Sequence, residues 1–331
     1  MRKPLLTLAA AAAASLSLTM PARAADPVNL TIASFGQQSS WYAYAVGLAE
    51  ILRGVLPAGS TVDTPPDGGG TKNPLLVAAG KADLAFGMAS VSKWAADGKV
   101  VYDKPMKNLR AIVGGFDQYY LGIAVNEPGV TASLDDYVTK LNPKPDVILL
   151  GKGSAGGTGG TQMLELAGAG PEEVEKRGGS WDYVGSFSVV QSQFSAGKAD
   201  LWIQTVTAGH PAMTELALTN KLSFVAPSEA VLGKMREEYG WVPATLPKGT
   251  FEGQDRDLRL PGTMTNLFVR ADMPEELAYT VTRALCENVA KFKTYHKALK
   301  DFSCQEGAKA DAAILPLHPG AERYYREKGW L

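Results

Sequence analysis

The sequence has few residues suited to metal binding or covalent catalysis. It contains two cysteines, Cys286 and Cys304, and three histidines, His210, His296 and His318. No histidine is spaced from another histidine or a cysteine as metal ligands usually are. No G-x-S-x-G nucleophile motif is present. We therefore expect no metal, no cofactor and no catalytic residue, and hence a protein that is not an enzyme.

Beyond its first residues the sequence also has no long apolar segment and no excess of basic charge. The N terminus combines Arg2 and Lys3, an apolar stretch over 5–18 and Ala22-Arg23-Ala24, which is the pattern of a cleaved export signal. A membrane anchor is the alternative, but the stretch is shorter than the ~20 residues that a span requires. We expect residues 1–24 to be removed.

The charge of the mature chain excludes one class of partner. Removal of residues 1–24 takes away three basic and no acidic residues, so the formal net charge changes from −1 to −4. That balance argues against a nucleic-acid partner. We expect a soluble periplasmic monomer. In an oxidising compartment Cys286 and Cys304, 18 residues apart, either form a disulfide or remain buried thiols, and the spacing leaves both open.

The most informative pattern is a pentapeptide, Gly-Lys-Ala-Asp-Leu, that occurs at 80–84 and again at 197–201. Each copy ends a segment that begins with an apolar run and a small polar loop. The loop glycines Gly36 and Gly153 each lie 44 residues before their copy, and the copies are offset by 117 residues. The alternation predicts an α/β protein with two βαβαβ lobes, joined by hinge strands around a central cleft. We predict lobe 1 over 25–118 and 262–331, and lobe 2 over 119–261.

Several individual elements can be predicted within this plan. Ser39 or Ser40 caps a helix that continues to about Val55. A strand at 146–150 leads through a long loop to a helix over 160–167. Pro274 opens a helix that ends near Tyr295. The charged, turn-rich region between 227 and 259 carries no predicted element.

Four loops rich in glycine, serine and threonine precede predicted helices, at 37–41, 68–73, 89–92 and 153–161. Such loops expose unpaired N–H groups and the positive end of the helix dipole, which favours anions. All four follow the carboxyl ends of strands, so we expect them to converge on the cleft. Core packing is the default for Trp41 or Tyr119 taken alone, but several aromatic residues beside the polar loops together favour a cleft with an apolar wall. His210 either contacts a ligand or caps a helix.

One of these loops also fits another class of protein. Residues 151–156 match the dinucleotide fingerprint G-x-G-x-x-G, after a strand and before a helix. The acidic residue expected after the next strand is hard to place, and export separates the protein from nicotinamide cofactors. A nucleotide-binding protein or exported enzyme that uses the same cleft is the alternative. A relative of sensor domains that presents a ligand to a receptor is another.

The chain resembles the TAXI family of solute-binding subunits of TRAP transporters, over essentially its whole mature length. The resemblance rests on 30–34 with Tyr42, the 69–73 loop, the 79–84 turn, the second glycine-rich loop at 151–161 and the stretch 204–211. It implies a bilobed fold of the periplasmic binding protein-like II type. It also implies closure on a small carboxylate such as glutamate or 2-oxoglutarate, which is then delivered to a sodium-coupled membrane transporter.

Two departures from the family pattern affect the expected ligand. This chain has Met88-Ala89-Ser90 where the family often has a Gln-x-Asp-like turn, and Lys72 where a neutral or acidic residue is expected. Both changes make the site less negative, although Lys72 could equally be a solvated loop lysine. Loops and resemblance together predict these ligand-binding residues: Ser39, Ser40, Trp41, Gly70, Thr71, Lys72, Asn73, Ser90, Tyr119, Ser154, Gly157, Thr158, Gln204, Thr205 and His210.

Overall fold

The computed structural model describes residues 26–37 and 39–331, so the predicted export signal lies outside the described residues. The chain forms two α/β lobes. The first lobe begins with seven elements in chain order: β1 (Asn29–Ala33), α1 (Ser40–Arg53), β2 (Thr61–Asp63), α2 (Asn73–Ala78), β3 (Leu84–Met88), α3 (Ala89–Asp97) and β4 (Leu109–Val113).

The second lobe follows without interruption. Its elements are β5 (Gln118–Val125), α4 (Leu134–Asp136) with the π-helical turn Tyr137–Leu141, β6 (Asp146–Leu150), α5 (Ala155–Leu166), α6 (Pro171–Arg177), β7 (Ser180–Val184), α7 (Phe187–Ser195), β8 (Leu201–Val206), α8 (Pro211–Thr219), β9 (Ser223–Phe224), α9 (Glu229–Tyr239) and β10 (Val242–Leu246).

The chain then returns to the first lobe through one long strand. This strand and the elements after it are β11 (Leu258–Arg270), α10 (Glu275–Glu287), α11 (Val289–Lys293), the 3-10 turn Lys297–Leu299, α12 (Cys304–Gly307), α13 (Ala310–Ala313) and α14 (Pro319–Glu327). Phe302 of the last segment stacks on Phe116, with ring centroids 4.4 Å apart, and so holds this segment against the first lobe. None of the described helices combines the length and the apolar character needed to cross a bilayer.

A single mixed sheet runs through both lobes. In the part of the chain that the structure describes, its strand order is β2-β1-β3-β11-β5-β8-β6-β7. Strands β4 and β10 also pair with β11, and β9 pairs with β5. Each lobe contains three parallel strands, β2-β1-β3 in one and β7-β6-β8 in the other. This is the βαβαβ arrangement predicted for each half.

Strand β11 belongs to both lobes. Residues 258–262 pair with β10, residues 262–264 pair with β5, and residues 265–269 pair with β3, all antiparallel. Except for Arg259, Met264 and the last residue, the strand is buried along its length. Because β11 is continuous, the two lobes are connected through backbone hydrogen bonds as well as through the chain segment between β4 and β5.

The repeated pentapeptide has the same structural role in both lobes. Gly80 and Gly197 adopt positive φ angles of 69° and 63° directly after α2 and α7, a conformation that glycine adopts at little cost. One carboxylate oxygen of Asp83 accepts a hydrogen bond from the backbone N–H of Thr31, at 2.8 Å. Asp200 accepts one from the N–H of Asp146, at 2.9 Å. Each aspartate thus ties its strand to the parallel neighbour.

Three of the predicted elements need correction. Helix α5 begins at Ala155 and not near residue 160, because Ser154 caps it and its glycines allow close packing. A Cβ on Gly159 would lie 2.6 Å from the indole of Trp241. The region 227–259 contains α9, capped by Ser228, and then β10. The helix opened by Pro274 is interrupted at Asn288, which separates α10 from α11.

Cys286 and Cys304 form a disulfide, with their Cα atoms 5.6 Å apart. The bond joins the end of α10 to the start of α12 and closes a short loop that contains α11. The structure therefore decides between the two alternatives that the spacing left open.

Removal of this disulfide should destabilise the first lobe. In the chain-entropy model a closed loop of this size contributes about 3 kcal/mol. We expect the Cys286→Ala/Cys304→Ala double variant to unfold at a lower urea concentration, with the loss close to that figure. Reduction of the unsubstituted protein is the matched control and should have the same effect. An unchanged unfolding midpoint in both would show that the bond does not stabilise the fold.

Candidate functional site

The loops that begin two helices from different lobes face each other. A side-chain Cβ added to Gly70, in the loop before α2, would lie 3.8 Å from the Cβ of Ala155 at the first turn of α5. These two segments are therefore in van der Waals reach across the cleft. Because Gly70 precedes α2 and Ala155 begins α5, the starts of these two helices lie in the same part of the molecule.

The first turn of α1 also carries hydroxyl groups. Ser39 is the N-cap and accepts a hydrogen bond from the N–H of Tyr42. The hydroxyls of Ser40 and Tyr119 are 3.2 Å apart. Tyr119 lies at the start of β5, so this contact joins α1 to the segment that crosses between the lobes. Trp41 is 4% exposed, and its indole N–H donates to Thr265 of β11. Trp41 is therefore a packed residue of the core more than an open wall of the cleft.

Ser90 lies in the first turn of α3 and is 1% exposed. Its backbone N–H donates to the hydroxyl of Thr263 in β11, at 3.0 Å. Thr263 is in turn the strand partner of Tyr119. The side-chain oxygen of Ser90 is buried and has no hydrogen-bond partner among the described residues.

The N terminus of α5 is the corresponding feature of lobe 2. The hydroxyl of Ser154 accepts from the N–H of Gly157 and donates to the carbonyl of Leu150. The cap therefore occupies the N–H of Gly157, and Thr158 already donates its N–H to the Ser154 carbonyl. The donors that this turn presents are the N–H groups of Ala155 and Gly156, because neither has a carbonyl four residues earlier in the helix to pair with.

Gln204 of β8 lies against the same turn. Its side-chain carbonyl is buried without a hydrogen-bond partner among the described residues, and a Cβ on Gly156 would lie 2.0 Å from that oxygen. Glycine at 156 is thus what makes room for the amide. Thr205, 7% exposed, lies beside it on the strand and pairs with Leu121 of β5. A buried polar group without a partner costs about 1–3 kcal/mol, so Ser90 and Gln204 are expected to find a partner in the functional state.

The loop before α2 is held in place by its own residues. Asn73 is buried and donates to the carbonyls of Ser34 and Phe86, while its oxygen accepts from Gly69. Thr71 accepts a hydrogen bond from the hydroxyl of Tyr102 through its carbonyl. These contacts show how the loop is built, and they leave the amide of Asn73 no free donor for a ligand.

Lys72 and His210 lie at the edge of the arrangement. The Lys72 side chain is 52% exposed and lies 3.9 Å from Asp67, which corresponds to the solvated-lysine alternative. His210 is the N-cap of α8 and accepts from the N–H of Met213 through Nδ1. Burial lowers the pKa of His210 to about 4, so the ring is neutral at neutral pH. Neither residue brings a positive charge next to the buried polar groups.

An acidic residue that the sequence patterns did not single out lies at the crossing between the lobes. Asp117 occupies the break between β4 and β5 and is 7% exposed. Its carboxylate accepts from the hydroxyl of Tyr44 at 2.7 Å, while the other oxygen has no partner in the hydrogen-bond network of the described residues. Burial raises the pKa of Asp117 to about 6. The only sequence signal was a polar residue between two apolar strand patterns.

Two surface cavities lie away from the facing loops. One, of about 290 Å³, is lined by Thr214, Leu218 and residues 249–255, and the other, of about 80 Å³, lies beside Asp83 and Arg270. The described residues contain no cluster of three His, Cys, Asp or Glu side chains that could hold a metal ion. The close contact of Gly70 with Ala155 indicates a closed arrangement, in which the polar groups of the cleft are covered.

The raised pKa of Asp117 predicts a pH-dependent stability. An ordinary aspartate ionises near pH 4, so between about pH 4 and pH 6 the unfolded chain releases a proton that the folded chain keeps. Folding stability should therefore fall as pH rises through this window, by up to about 3 kcal/mol from this residue. Asp117→Asn, which cannot ionise, should gain stability relative to the unsubstituted protein by that amount between pH 4 and pH 7.5.

Urea unfolding of both proteins at the two pH values measures this difference. Asp255→Asn, which changes an exposed acid, is the control and should not reproduce the pH-dependent gain. The raised pKa of Asp117 would be contradicted if Asp117→Asn and the unsubstituted protein differed in stability by the same amount at both pH values.

Comparison with known proteins identifies the family and the fold. The periplasmic binding protein BugD has a similar structure, with a TM-score of 0.51 and 18% sequence identity over 92% of this chain and 95% of that chain. MatC from Rhodopseudomonas palustris with bound malate gives a TM-score of 0.51 and 14% identity, over 92% and 98% of the two chains. At these identities the likeness shows the fold, which is that of type II periplasmic binding proteins. The model of the NMT1-like family matches residues 32–329, and the chain belongs to that family.

Proposed function

We propose that the chain is a periplasmic solute-binding protein of the TAXI type, which captures a small carboxylate such as glutamate or 2-oxoglutarate and delivers it to the membrane subunits of a sodium-coupled TRAP transporter. The observation that carries this proposal is the approach of Gly70 to Ala155, which brings two glycine-rich helix starts from different lobes together. Anions bind favourably at such sites. The periplasmic binding protein BugD and MatC with bound malate share the fold.

Closure of the lobes supplies the physical basis of capture. The buried oxygens of Ser90 and Gln204 belong to different lobes, and neither has a hydrogen-bond partner in the part of the chain that the structure describes. In the closed form a solute would accept a hydrogen bond from the Ser90 hydroxyl and donate an N–H or O–H to the Gln204 carbonyl, and water would pair with both groups in an open form. Because a ligand shifts an equilibrium only when it binds the two forms unequally, this difference favours closure around the solute. A transporter could then distinguish the closed form from the open one.

The first experiment identifies the solute class. The purified mature chain is titrated with carboxylates, including glutamate, 2-oxoglutarate and malate, while tryptophan fluorescence and the melting temperature are followed. We expect saturable binding of at least one carboxylate, with thermal stabilisation that increases with its concentration. Recovery of the bound solute unchanged, by mass spectrometry, separates a binding protein from an exported enzyme. A response to neutral sugars or metal cations only would contradict the proposal.

Gly156 and Gln204 provide a sharper test of the site. Gly156→Ala places a Cβ where the Gln204 carbonyl now lies, so the amide has to move. We expect this variant to bind the solute at least tenfold more weakly, a loss on the order of 1.4 kcal/mol or more. Gln204→Ala should lose a similar amount. Because both act on one group, the double variant should lose little more than either alone.

Gly151→Ala is the matched control for this series. It lies in the same loop, and a Cβ there would have nothing within 4 Å. Its affinity should equal that of the unsubstituted protein. Full additivity of the Gly156 and Gln204 losses, or unchanged affinity in both single variants, would place the solute elsewhere.

A further inference from the structure

We propose that Asp117 makes the cleft selective for solutes with a single negative charge, and disfavours dianions. This inference rests on the proposed function and narrows it, since it favours glutamate over 2-oxoglutarate. It concerns a residue that no motif singled out.

The carboxylate is linked to the first turn of α1 by short contacts. Asp117 accepts from the hydroxyl of Tyr44, at 2.7 Å. Tyr44 is one helical turn after Ser40, and side chains at this spacing are neighbours on a helix surface. Ser40 in turn lies 3.2 Å from the hydroxyl of Tyr119. Burial raises the pKa of the hydroxyls of both tyrosines, and the negative charge of Asp117 raises the pKa of each further. A solute at the N terminus of α1 would therefore lie one or two hydrogen bonds from Asp117.

No positive charge neutralises this carboxylate. No lysine or arginine of the described residues forms a hydrogen bond or ion pair with Asp117, and one of its oxygens has no partner. The hydroxyls that face it come from α1 and β5, and β11 contributes the polar side chain of Thr265. The other neighbours of Tyr44 are the rings of Phe86, Phe116 and Phe292, and the imidazole of His296. Burial lowers the pKa of His296, so this ring does not supply a cation at neutral pH.

The residues predicted to bind the ligand supply little cationic charge to offset Asp117. Lys72 is exposed and paired with Asp67, and the ring of His210 is neutral. What remains for anion binding is the helix N-termini, each equivalent to only about half a positive charge. A first negative charge on the solute is stabilised by these partial charges. A second negative charge, close to an ionised and poorly screened carboxylate, is repelled. The balance selects solutes with a net charge of −1, in which a second carboxylate is absent or is offset by a positively charged group.

The test uses pairs of solutes that differ in one charge and little else. Succinate is compared with its monoamide, and glutarate with its monoamide, by calorimetry at pH 8. We expect the unsubstituted protein to bind the monoamide at least tenfold more tightly than the dianion. In Asp117→Asn this preference should fall by at least fivefold, because the dianion binds more tightly. Asp83→Asn is the control, since that acid lies at the other end of β3, about 16 Å from the first turn of α3, and should keep the original preference.

The possible outcomes distinguish a failure of the charge selectivity from a failure of the proposed function. If the unsubstituted protein binds dianions as tightly as monoamides, the selectivity is absent and the inference is wrong, while solute capture stands. If selectivity is present but unchanged in a folded Asp117→Asn, another group causes it and the inference is again wrong. If no carboxylate of either charge binds, the proposed function fails and the inference fails with it. Should Asp117→Asn not fold, Asp117→Ser takes its place, and the same outcomes decide the inference.

Discussion

The backbone pairing of β11 is the constraint on which the rest of the structure depends. One strand pairs with β10 and β5 at its start and with β3 at its end, so both lobes share a sheet while each keeps its own parallel core. Thr263 and Thr265 lie in the middle of this strand. Their hydroxyls accept from the Ser90 N–H and the Trp41 indole, so the strand positions the first turns of α3 and α1. The geometry of the cleft therefore follows from the crossing strand.

The polar groups of the cleft follow a consistent pattern. Side chains that shape the loops, such as Asn73 and Ser154, have their hydrogen bonds satisfied within the protein. Ser90 and Gln204 are buried but lack a partner for one oxygen each, and they come from opposite lobes. The polar side chains that shape the loops and the buried polar side chains left without a partner are therefore different residues. Asp117 adds a buried carboxylate that pairs with no lysine or arginine of the described residues, and in our proposal it limits the charge that a solute can carry.

Much of the fold could be predicted from the sequence because the signals were local or repeated. The pentapeptide at 80–84 and 197–201 marked equivalent turns in both lobes, and Ser39 marked the start of α1. The start of α5 was predicted five residues too late, since four glycines in its first turns argue against a helix unless the packing partners Trp241, Leu149 and Ile203 are known. Helix α9 was missed in a charged region, although Ser228 and Gly240 cap it.

The site was harder to predict than the fold, because its properties depend on contacts between distant segments. Trp41 looked like a cleft wall, but a hydrogen bond to Thr265, more than 200 residues away, places it in the core. Lys72 was equally compatible with ligand binding and with solvent. Asp117 had no motif, and its burial among aromatic rings arises only when β4, β5, α1 and the C-terminal segment come together. The spacing of residues along the chain does not show which distant segments come into contact in the folded protein.

The central claim is that the lobes close where Gly70 meets Ala155, with the solute enclosed. The separation of 3.8 Å between the two Cβ positions matches that of a disulfide. The most direct measurement is the rate of oxidative cross-linking of a Gly70→Cys/Ala155→Cys variant, with and without a bound carboxylate. The account predicts that the cross-link forms, that the solute accelerates it, and that the oxidised protein releases the solute much more slowly. A variant that does not cross-link, or that does so with no effect of solute on rate and no effect on release, would contradict it.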